Sequence, residues 1–98
     1  PSQTNGVVGF KPTAGLVSRG GVIPISYSQD SPGPIARSVE DAAILLSVLT
    51  GVDKKDDKTL SSKGNAHPDY TKFLKKDGLK GKKIGVYTAL LGANKEVD

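Results

Sequence analysis

The segment from 38 to 50 carries the clearest pattern of hydrophobic and polar positions in the chain. Ser38 is a good helix N-cap, Asp41 three residues later completes a capping-box pattern, and Gly51 suits the position just after a helix. A helix that is apolar nearly all round needs partners on most of its surface. The pattern therefore predicts one long buried helix at about 38–50, with these apolar positions: Val39, Ala42, Ala43, Ile44, Leu45, Leu46, Val48 and Leu49.

Residues 1–37 alternate between short apolar runs and chain-breaking residues. Gly, Pro and Ser separate runs that favour short strands or extended segments: Val7-Val8, Leu16-Val17 and Val22-Ile23-Pro24-Ile25. Pro24 argues against a central strand in the last run, because proline cannot donate to a strand ladder. The glycines of Gly6-x-x-Gly9 and of Gly20-Gly21 do not match a phosphate-binding loop and predict close approach of backbone segments instead.

A turn is expected at residues 30–34. Two prolines fix φ in this cluster, and Gly33 permits a positive φ. Asp30 and Arg37 flank the cluster, and an ion pair between them would lock the turn. The alternative is that both side chains shape or line a substrate pocket.

The segments after the helix predict a loop, a short helix and a strand, in that order. Residues 52–67 are polar without periodicity, which indicates a surface loop. Pro68 suits the first position of a short helix from Asp69 to about Lys76, and residues 82–88 alternate as in a strand. Residues 89–98 predict an irregular end. Together with the helix at 38–50, these elements indicate an α/β fold.

Length and composition limit what this chain can do alone. It has 98 residues, of which 36% are hydrophobic, so it is at most one domain with a small core. It begins at Pro1 and contains no Met, and we expect 1–98 to be a single partial domain, an internal segment of a longer protein. The absence of Cys excludes disulfides and thiolate metal sites. No signal-peptide pattern and no run long enough to span a bilayer is present, so a cytoplasmic protein without membrane contact is expected.

Few side chains have a setting typical of catalysis or metal binding. The run Ser61-Ser62-Lys63 superficially matches a Ser/Ser/Lys set, but it lies in the polar loop, where hydrated side chains are expected. His67 is the only histidine, and it precedes Pro68, as a cap or surface residue would. Asp53, Asp56 and Asp57 lack the spacing of a calcium loop. We therefore expect no catalytic residue, no metal site and no cofactor in this chain, and the sequence identifies no substrate-binding residue.

The charge pattern favours an ordinary solvated surface. The formal net charge is +4, and lysines crowd the second half of the chain. Acidic residues are interleaved with them and no series of aromatic residues accompanies them, which argues against a nucleic-acid surface. A non-catalytic basic binding module remains an alternative.

Several motifs, in order along almost the whole chain, resemble the amidase signature family. They are Gly6-Val7-Val8-Gly9-Phe10-Lys11-Pro12-Thr13, Gly15-Leu16-Val17-Ser18-Arg19-Gly20-Gly21, Ser28-Gln29-Asp30-Ser31-Pro32-Gly33-Pro34, Arg37-Ser38-Val39-Glu40-Asp41-Ala42-Ala43, Pro68-Asp69-Tyr70-Thr71 and Gly78-Leu79-Lys80-Gly81-Lys82-Lys83-Ile84-Gly85-Val86. The resemblance implies a mixed β-sheet covered by helices. It also implies a serine hydrolase that cleaves carboxamide C–N bonds in small-molecule amides through a Ser–cis-Ser–Lys triad.

The resemblance places the whole triad upstream of Pro1. It thus implies that this segment alone is inactive, and that residues 1–37 support the nucleophile loop and form nearby pocket wall. We also expect the isolated segment to self-associate, because the helix at 38–50 requires apolar partners.

One branch of the family is the ammonia-supplying chain of transfer-RNA-dependent amidotransferases, known as their A subunit, which is the alternative function. That branch commonly has Tyr and Arg where Ala14 and Leu16 stand, and Leu-Asp-Gln where Gln29-Asp30-Ser31 stand. These departures favour a general amidase or amidohydrolase.

Overall fold

The computed structural model describes residues 1–92, in which regular elements are few and short. Strands β1 (Val8–Gly9) and β2 (Ile35–Ala36) precede helix α1 (Val39–Leu49). Three 3-10 helices follow at Asp57–Ser62, Thr71–Phe73 and Thr88–Leu90. The predicted mixed α/β content is confirmed. The irregular end expected at 89–98 lies outside the described residues from position 93 onward.

Helix α1 forms where the hydrophobic pattern predicts it. The Ser38 hydroxyl accepts a hydrogen bond from the Asp41 amide at 3.1 Å and donates to the Asp41 carboxylate, which closes the cap. Within the described residues the helix is buried on one side only, where Ala42 and Leu46 face β1, β2 and the 3-10 helix at Thr71–Phe73. Ala43 is half-buried, and the larger apolar side chains of the helix other than Leu46 remain exposed, because residues 1–92 supply no further element to cover them.

Strands β1 and β2 form a small antiparallel sheet with Val8 opposite Ala36 and Gly9 opposite Ile35. The run Leu16-Val17 contributes only an isolated antiparallel bridge between Val17 and Thr50. Val17 is nevertheless one of the buried apolar residues, together with Ala42 and Leu46 on α1. The core is thus a thin layer between the helix and the extended segments before it.

The first 37 residues differ from expectation in where they turn. The reversal lies at 26–30, where the amides of Gln29 and Asp30 donate to the Ser26 carbonyl. Residues 30–34, where the turn was expected, contain no turn of their own, and the run 22–25 forms no strand. Gly33 is required by close approach, since a Cβ there would lie 2.0 Å from the Phe10 carbonyl oxygen.

The glycine prediction holds in part. A Cβ on Gly9 would overlap the Ser2 side chain, and one on Gly20 would lie 2.9 Å from the Asp53 carboxylate. Gly6 and Gly21 instead have positive φ and open space around them, so close approach was the wrong reason for them. Their backbone conformation is what favours glycine.

The segments after α1 are less regular than predicted. The helix expected from Asp69 to Lys76 is reduced to the 3-10 turn at Thr71–Phe73. The strand expected at 82–88 is absent, and its apolar residues Ile84 and Val86 are exposed. Within 1–92 no neighbouring strand pairs with this segment, and an isolated strand leaves its backbone hydrogen-bonding groups without partners.

The chain is more open than a compact domain of its length. Its radius of gyration is 15.9 Å, whereas a compact domain of about 100 residues has about 13 Å. Its accessible surface is 8128 Å², against about 5,300 Å² expected from the scaling for a folded protein of this mass. Separately, no helix among residues 1–92 is both long enough and apolar enough to cross a bilayer.

Candidate functional site

A cluster of buried and half-buried polar side chains joins residues 15–21 to the segment after α1. Its centre is the ion pair between Arg19 and Asp56, whose side chain is only 6% exposed. Nε of Arg19 donates to Oδ2 of Asp56 at 2.9 Å, and Nη2 donates to Oδ1. The backbone amides of Arg19 and Lys58 donate to the same carboxylate. Asp56 therefore accepts four hydrogen bonds, as a buried carboxylate requires.

These contacts change the acid–base behaviour of both partners. Hydrogen bonds from the Arg19 side chain and amide hold the pKa of Asp56 well below its usual range. The Asp56 carboxylate in turn raises the pKa of the Arg19 guanidinium. Both groups are thus charged at every physiological pH, and the pair is a structural brace rather than a proton donor or acceptor.

Asp53 and Thr59 complete the cluster. Thr59 is fully buried; its hydroxyl accepts from the Asp53 amide at 2.9 Å and lies 2.7 Å from the Asp56 carbonyl, to which it donates. The Ser18 hydroxyl donates to the Asp53 carboxylate at 2.6 Å, and this bond lowers the pKa of Asp53. We call Ser18, Arg19, Asp53, Asp56 and Thr59 the polar clamp.

Most of the segment 52–67 is exposed, as expected of a surface loop, but the clamp buries part of it. This segment contains the 3-10 helix Asp57–Ser62, and its residues Asp56, Thr59 and Ser62 are buried. The polar composition is misleading because hydrogen bonds within the protein replace those with water, both to the backbone and across to Arg19. The two segments that the clamp joins pack closely, since a Cβ on Gly15 would lie 2.5 Å from the Lys58 carbonyl oxygen.

Arg19 also reaches the loop at 22–27. Nη1 donates to the Tyr27 carbonyl, and the guanidinium lies 4.8 Å from the centre of the Tyr27 ring. Asp30 holds the adjacent residues of the same loop by accepting from the amides of Ile25 and Ser26. The predicted ion pair between Asp30 and Arg37 is therefore wrong: the backbone amides occupy the Asp30 carboxylate, and within 1–92 Asp30 forms no salt bridge.

A cavity of about 260 Å³ lies between the clamp and this loop. Its lining includes the charged residues Arg19, Asp30, Lys55 and Asp56 together with Val22, Pro24 and Tyr27. The loop that encloses it is apolar and exposed, and Ile25 has 96% of its surface accessible. The loop at 22–27, whose backbone is held by Arg19 and Asp30, thus exposes apolar side chains next to this cavity.

The other candidates from the sequence make local contacts only. Ser61 and Ser62 donate to the carbonyls of Lys58 and Thr59, so the run Ser61-Ser62-Lys63 caps a 3-10 turn. His67 is exposed, and its ring stacks edge-on against Phe73 with 4.9 Å between ring centres. Among residues 1–92 no three His, Cys, Asp or Glu side chains come together in a way that could hold a metal ion.

The polar clamp could not be found from the sequence. Its central pair joins positions 37 residues apart, and neither partner lies in a local motif that specifies the other. The sequence offers one weak signal, which is complementary chemistry. The hydroxyl and guanidinium of Ser18-Arg19 could bind the carboxylates of Asp53 and Asp56 if the fold brought them together.

Comparison with known proteins decides the family. A protein-family model described as Amidase matches residues 1–98, the whole chain. The chain belongs to the amidase family. A protein of Arthroderma benhamiae named as an amidase is 50% identical over 86 residues, which is 88% of this chain and 14% of that protein. The A subunit of the glutamyl-tRNA(Gln) amidotransferase of Acaryochloris marina is 50% identical over 92 residues, which is 94% of this chain and 18% of that protein.

A solved structure agrees with the sequence relatives. The crystal structure of an amidase family protein from Bacillus anthracis is 48% identical, with a TM-score of 0.69. The match covers 78% of this amidase-family chain and 15% of that one. The chain thus spans between 14% and 18% of the length of the two curated relatives named above.

Proposed function

We propose that this chain is a segment of an amidase that hydrolyses carboxamide C–N bonds, with its Ser–cis-Ser–Lys triad located outside these 98 residues. The observation that carries the proposal is the family match over residues 1–98. The contacts support it, because among residues 1–92 the side chains that hydrogen-bond to a serine hydroxyl are aspartates or another serine, and none is the lysine that the triad uses as its base. A nucleophile needs a base within hydrogen-bond reach.

In this proposal the chemistry follows the resemblance. The lysine acts as base through the bridging serine, the nucleophilic serine attacks the amide carbonyl, and ammonia or an amine leaves from the acyl-enzyme. Water then releases the acid. Backbone amides near the nucleophile stabilise the oxyanion. The 98-residue segment contributes rigid support, because the polar clamp fixes residues 15–21 against the segment after α1.

The test compares the full-length protein with the 98-residue segment. Ammonia release from simple amides is measured for both, and we expect turnover by the full-length protein only. Turnover by the purified segment would overturn the location of the triad. A full-length protein that releases no ammonia from any amide would overturn the function itself.

A double variant in the full-length protein checks the internal Ser/Ser/Lys run. Ser61→Ala with Lys63→Ala removes two exposed side chains, of which Ser61 bonds only to the Lys58 carbonyl. We expect kcat within about twofold of wild type, since exposed substitutions of this kind have small effects. Loss of turnover in a folded double variant would place the chemistry in this segment after all.

The A subunit of an amidotransferase is the second candidate, favoured by the 50% identity to the Acaryochloris marina protein over 92 residues. The departures at Ala14, Leu16 and Gln29 favour the general amidase over it. The two are distinguished by supplying the full-length protein with glutamine and glutamyl-tRNA. Transfer of ammonia to the aminoacyl-tRNA with little hydrolysis of simple amides would select the amidotransferase.

A further inference from the structure

The turn at residues 1–6 places an asparagine, a thermolabile residue, directly before a glycine. Asn5 and Gly6 are both exposed, and Gly6 has a φ of +62° with nothing within 4 Å of the position that a Cβ would take. The backbone nitrogen after an asparagine can attack the side-chain amide, and glycine hinders that attack least because it has no Cβ. The pair Asn5-Gly6 therefore has the groups and the open space that spontaneous deamidation requires.

Deamidation of Asn5 exchanges its side-chain nitrogen for oxygen from water. The Gly6 nitrogen gives up its proton and forms a bond to Cγ of Asn5, the bond from Cγ to Nδ2 breaks, and Nδ2 takes up a proton and leaves as ammonia. Water then opens the cyclic imide at either carbonyl carbon, which yields aspartate or isoaspartate. No oxidant or reductant is needed, and one carboxylate is added to a formal net charge of +4.

Two hydrogen bonds of the turn oppose this reaction. Nδ2 of Asn5 donates to the Pro1 carbonyl at 2.7 Å, and the Gly6 amide donates to the Gln3 carbonyl at 3.1 Å. The leaving nitrogen and the attacking nitrogen are thus held by other partners, and both bonds break before the imide ring closes. Exposed hydrogen bonds each shift an equilibrium by roughly twofold to tenfold, so the turn slows the reaction without preventing it.

Asn65 has the same two hydrogen bonds but a different residue after it. Its Nδ2 donates to the Ser61 carbonyl at 3.1 Å, and the Ala66 amide donates to the Ser62 carbonyl at 3.0 Å. Asn65 is exposed, as Asn5 is. The attacking nitrogen belongs to glycine at one site and to alanine at the other, so the chain contains its own comparison for the effect of a Cβ.

A modified Asn5 acts on strand β1, because the turn packs against that strand. The Val7 amide donates to the Ser2 carbonyl at 3.0 Å, and a Cβ on Gly9 would overlap the Ser2 side chain. Isoaspartate routes the main chain through the former side-chain carbon and lengthens it by one carbon between residues 5 and 6. Ser2 then shifts relative to Val7, and the hydrogen bond between them weakens.

We propose that Asn5 is a deamidation site of the folded protein, and that its conversion to isoaspartate loosens the turn at 1–6 from β1. The proposal is independent of the proposed amidase function. Ammonia from this reaction is limited to one equivalent per reacting asparagine, whereas an enzyme releases ammonia over many turnovers, so the two sources are distinguishable.

The experiment incubates the full-length protein at neutral pH and follows the peptides that contain Asn5 and Asn65 by mass spectrometry. We expect Asn5 to react severalfold faster than Asn65. Gly6→Ala should slow the reaction at Asn5 to the rate at Asn65, and the matched variant Ala66→Gly should raise the rate at Asn65 toward that at Asn5. Urea should speed the reaction at Asn5 about tenfold, within the combined factor of its two exposed hydrogen bonds.

Hydrogen exchange tests the effect on β1. We expect faster exchange at the Val7 amide in the isolated isoaspartyl form, and unchanged exchange at the Arg19 amide, which Asp56 holds. Asn5→Asp is the control, because it adds the charge without lengthening the main chain, and exchange at Val7 should stay near the wild-type rate.

Each outcome decides one statement. If Asn5 stays unmodified in the folded protein, or reacts no faster than Asn65, the deamidation site is overturned. If exchange at Val7 is the same in the isoaspartyl form as in the wild type, the effect on β1 is overturned. A full-length protein that hydrolyses no amide would leave both results as they stand, since neither measurement uses enzymatic turnover.

Discussion

The polar clamp and the outer face of α1 invert the usual relation between polarity and burial. The clamp is made of polar side chains, yet Thr59 is 0% exposed. The outer face of α1, by which we mean its exposed apolar residues Val39, Ile44, Leu45, Val48 and Leu49, is left uncovered, and Val48 is 77% exposed. The difference lies in what each surface needs: the clamp finds all its hydrogen-bond partners within residues 1–92, whereas the helix face needs apolar partners that these residues do not provide.

The inner side of α1 shows the same shortage. A groove of about 190 Å³ lies between β1, α1 and the 3-10 helix at Thr71–Phe73, lined by apolar and aromatic side chains such as Phe10, Leu46 and Phe73. Full burial of one Val, Leu or Phe side chain contributes about 1.5–3 kcal/mol. Much of the hydrophobic free energy encoded in 38–50 is therefore not realised in the described structure, while the clamp is complete.

The largest loss in the free energy of unfolding is expected from a substitution at Gly15, where the segments joined by the clamp approach most closely. Gly15→Ala places a non-glycine residue at φ +93° with its Cβ 2.5 Å from the Lys58 carbonyl oxygen. Backbone strain of about 1–2 kcal/mol and overpacking of about 1–3 kcal/mol add up. We expect a loss of about 3 kcal/mol in the free energy of unfolding, the sum of these two effects, measured by urea titration of the chain.

Gly64→Ala is the matched control for this substitution. Gly64 also has positive φ, at +79°, but a Cβ there would meet nothing within 4 Å. Only the strain is then left, so a loss of about 1 kcal/mol is expected. Equal losses in the two variants would show that residues 15–21 are not pressed against the segment after α1.

A smaller effect is expected from acid, which acts on the clamp and not on the helix face. The pKa of Asp56 is lowered in the folded state by Arg19, so its stabilisation is present in full above the ordinary pKa of about 4. That stabilisation falls as the pH drops below this value toward the depressed pKa. We expect the urea midpoint of the wild type to fall between about pH 5 and pH 2, the range below the ordinary aspartate pKa.

Asp56→Asn removes the titrating group and sharpens this test. The variant should be less stable than wild type at about pH 6, and the gap should narrow steadily in acid. Asp57→Asn should follow the wild-type curve, because its carboxylate makes no contact in the clamp. A constant gap between wild type and Asp56→Asn at every pH would contradict a role for the charge of Asp56.

The same comparison explains which parts of the molecule could be predicted from the sequence. Helix α1 was predictable because its cap and its apolar spacing are local properties of residues 38–50. The strand expected at 82–88 failed because alternation specifies a strand only where a neighbour pairs with it. The bond between Arg19 and Asp56 depends on how the chain folds back over 37 positions, and no spacing rule encodes that.

The smallest effect on the free energy of unfolding is expected on the helix face, where the consequence is for association instead. We propose that the isolated segment self-associates through the outer face of α1. Its accessible surface of 8128 Å² exceeds that of a compact chain of its mass by well over the roughly 800 Å² per partner that a stable interface buries. Val48→Lys should change the free energy of unfolding by less than about 0.5 kcal/mol and weaken association about tenfold, or about 1.4 kcal/mol.

Val86→Lys separates the helix face from apolar exposure in general. Val86 is 67% exposed but lies in the irregular segment at 82–87. If association follows the continuous helix face, sedimentation velocity should show dissociation in Val48→Lys and not in Val86→Lys, although both replace an exposed valine by the same charge. Equal dissociation in both would mean that scattered apolar residues drive it. A wild-type segment that stays monomeric at high micromolar concentration would contradict self-association through the outer face of α1.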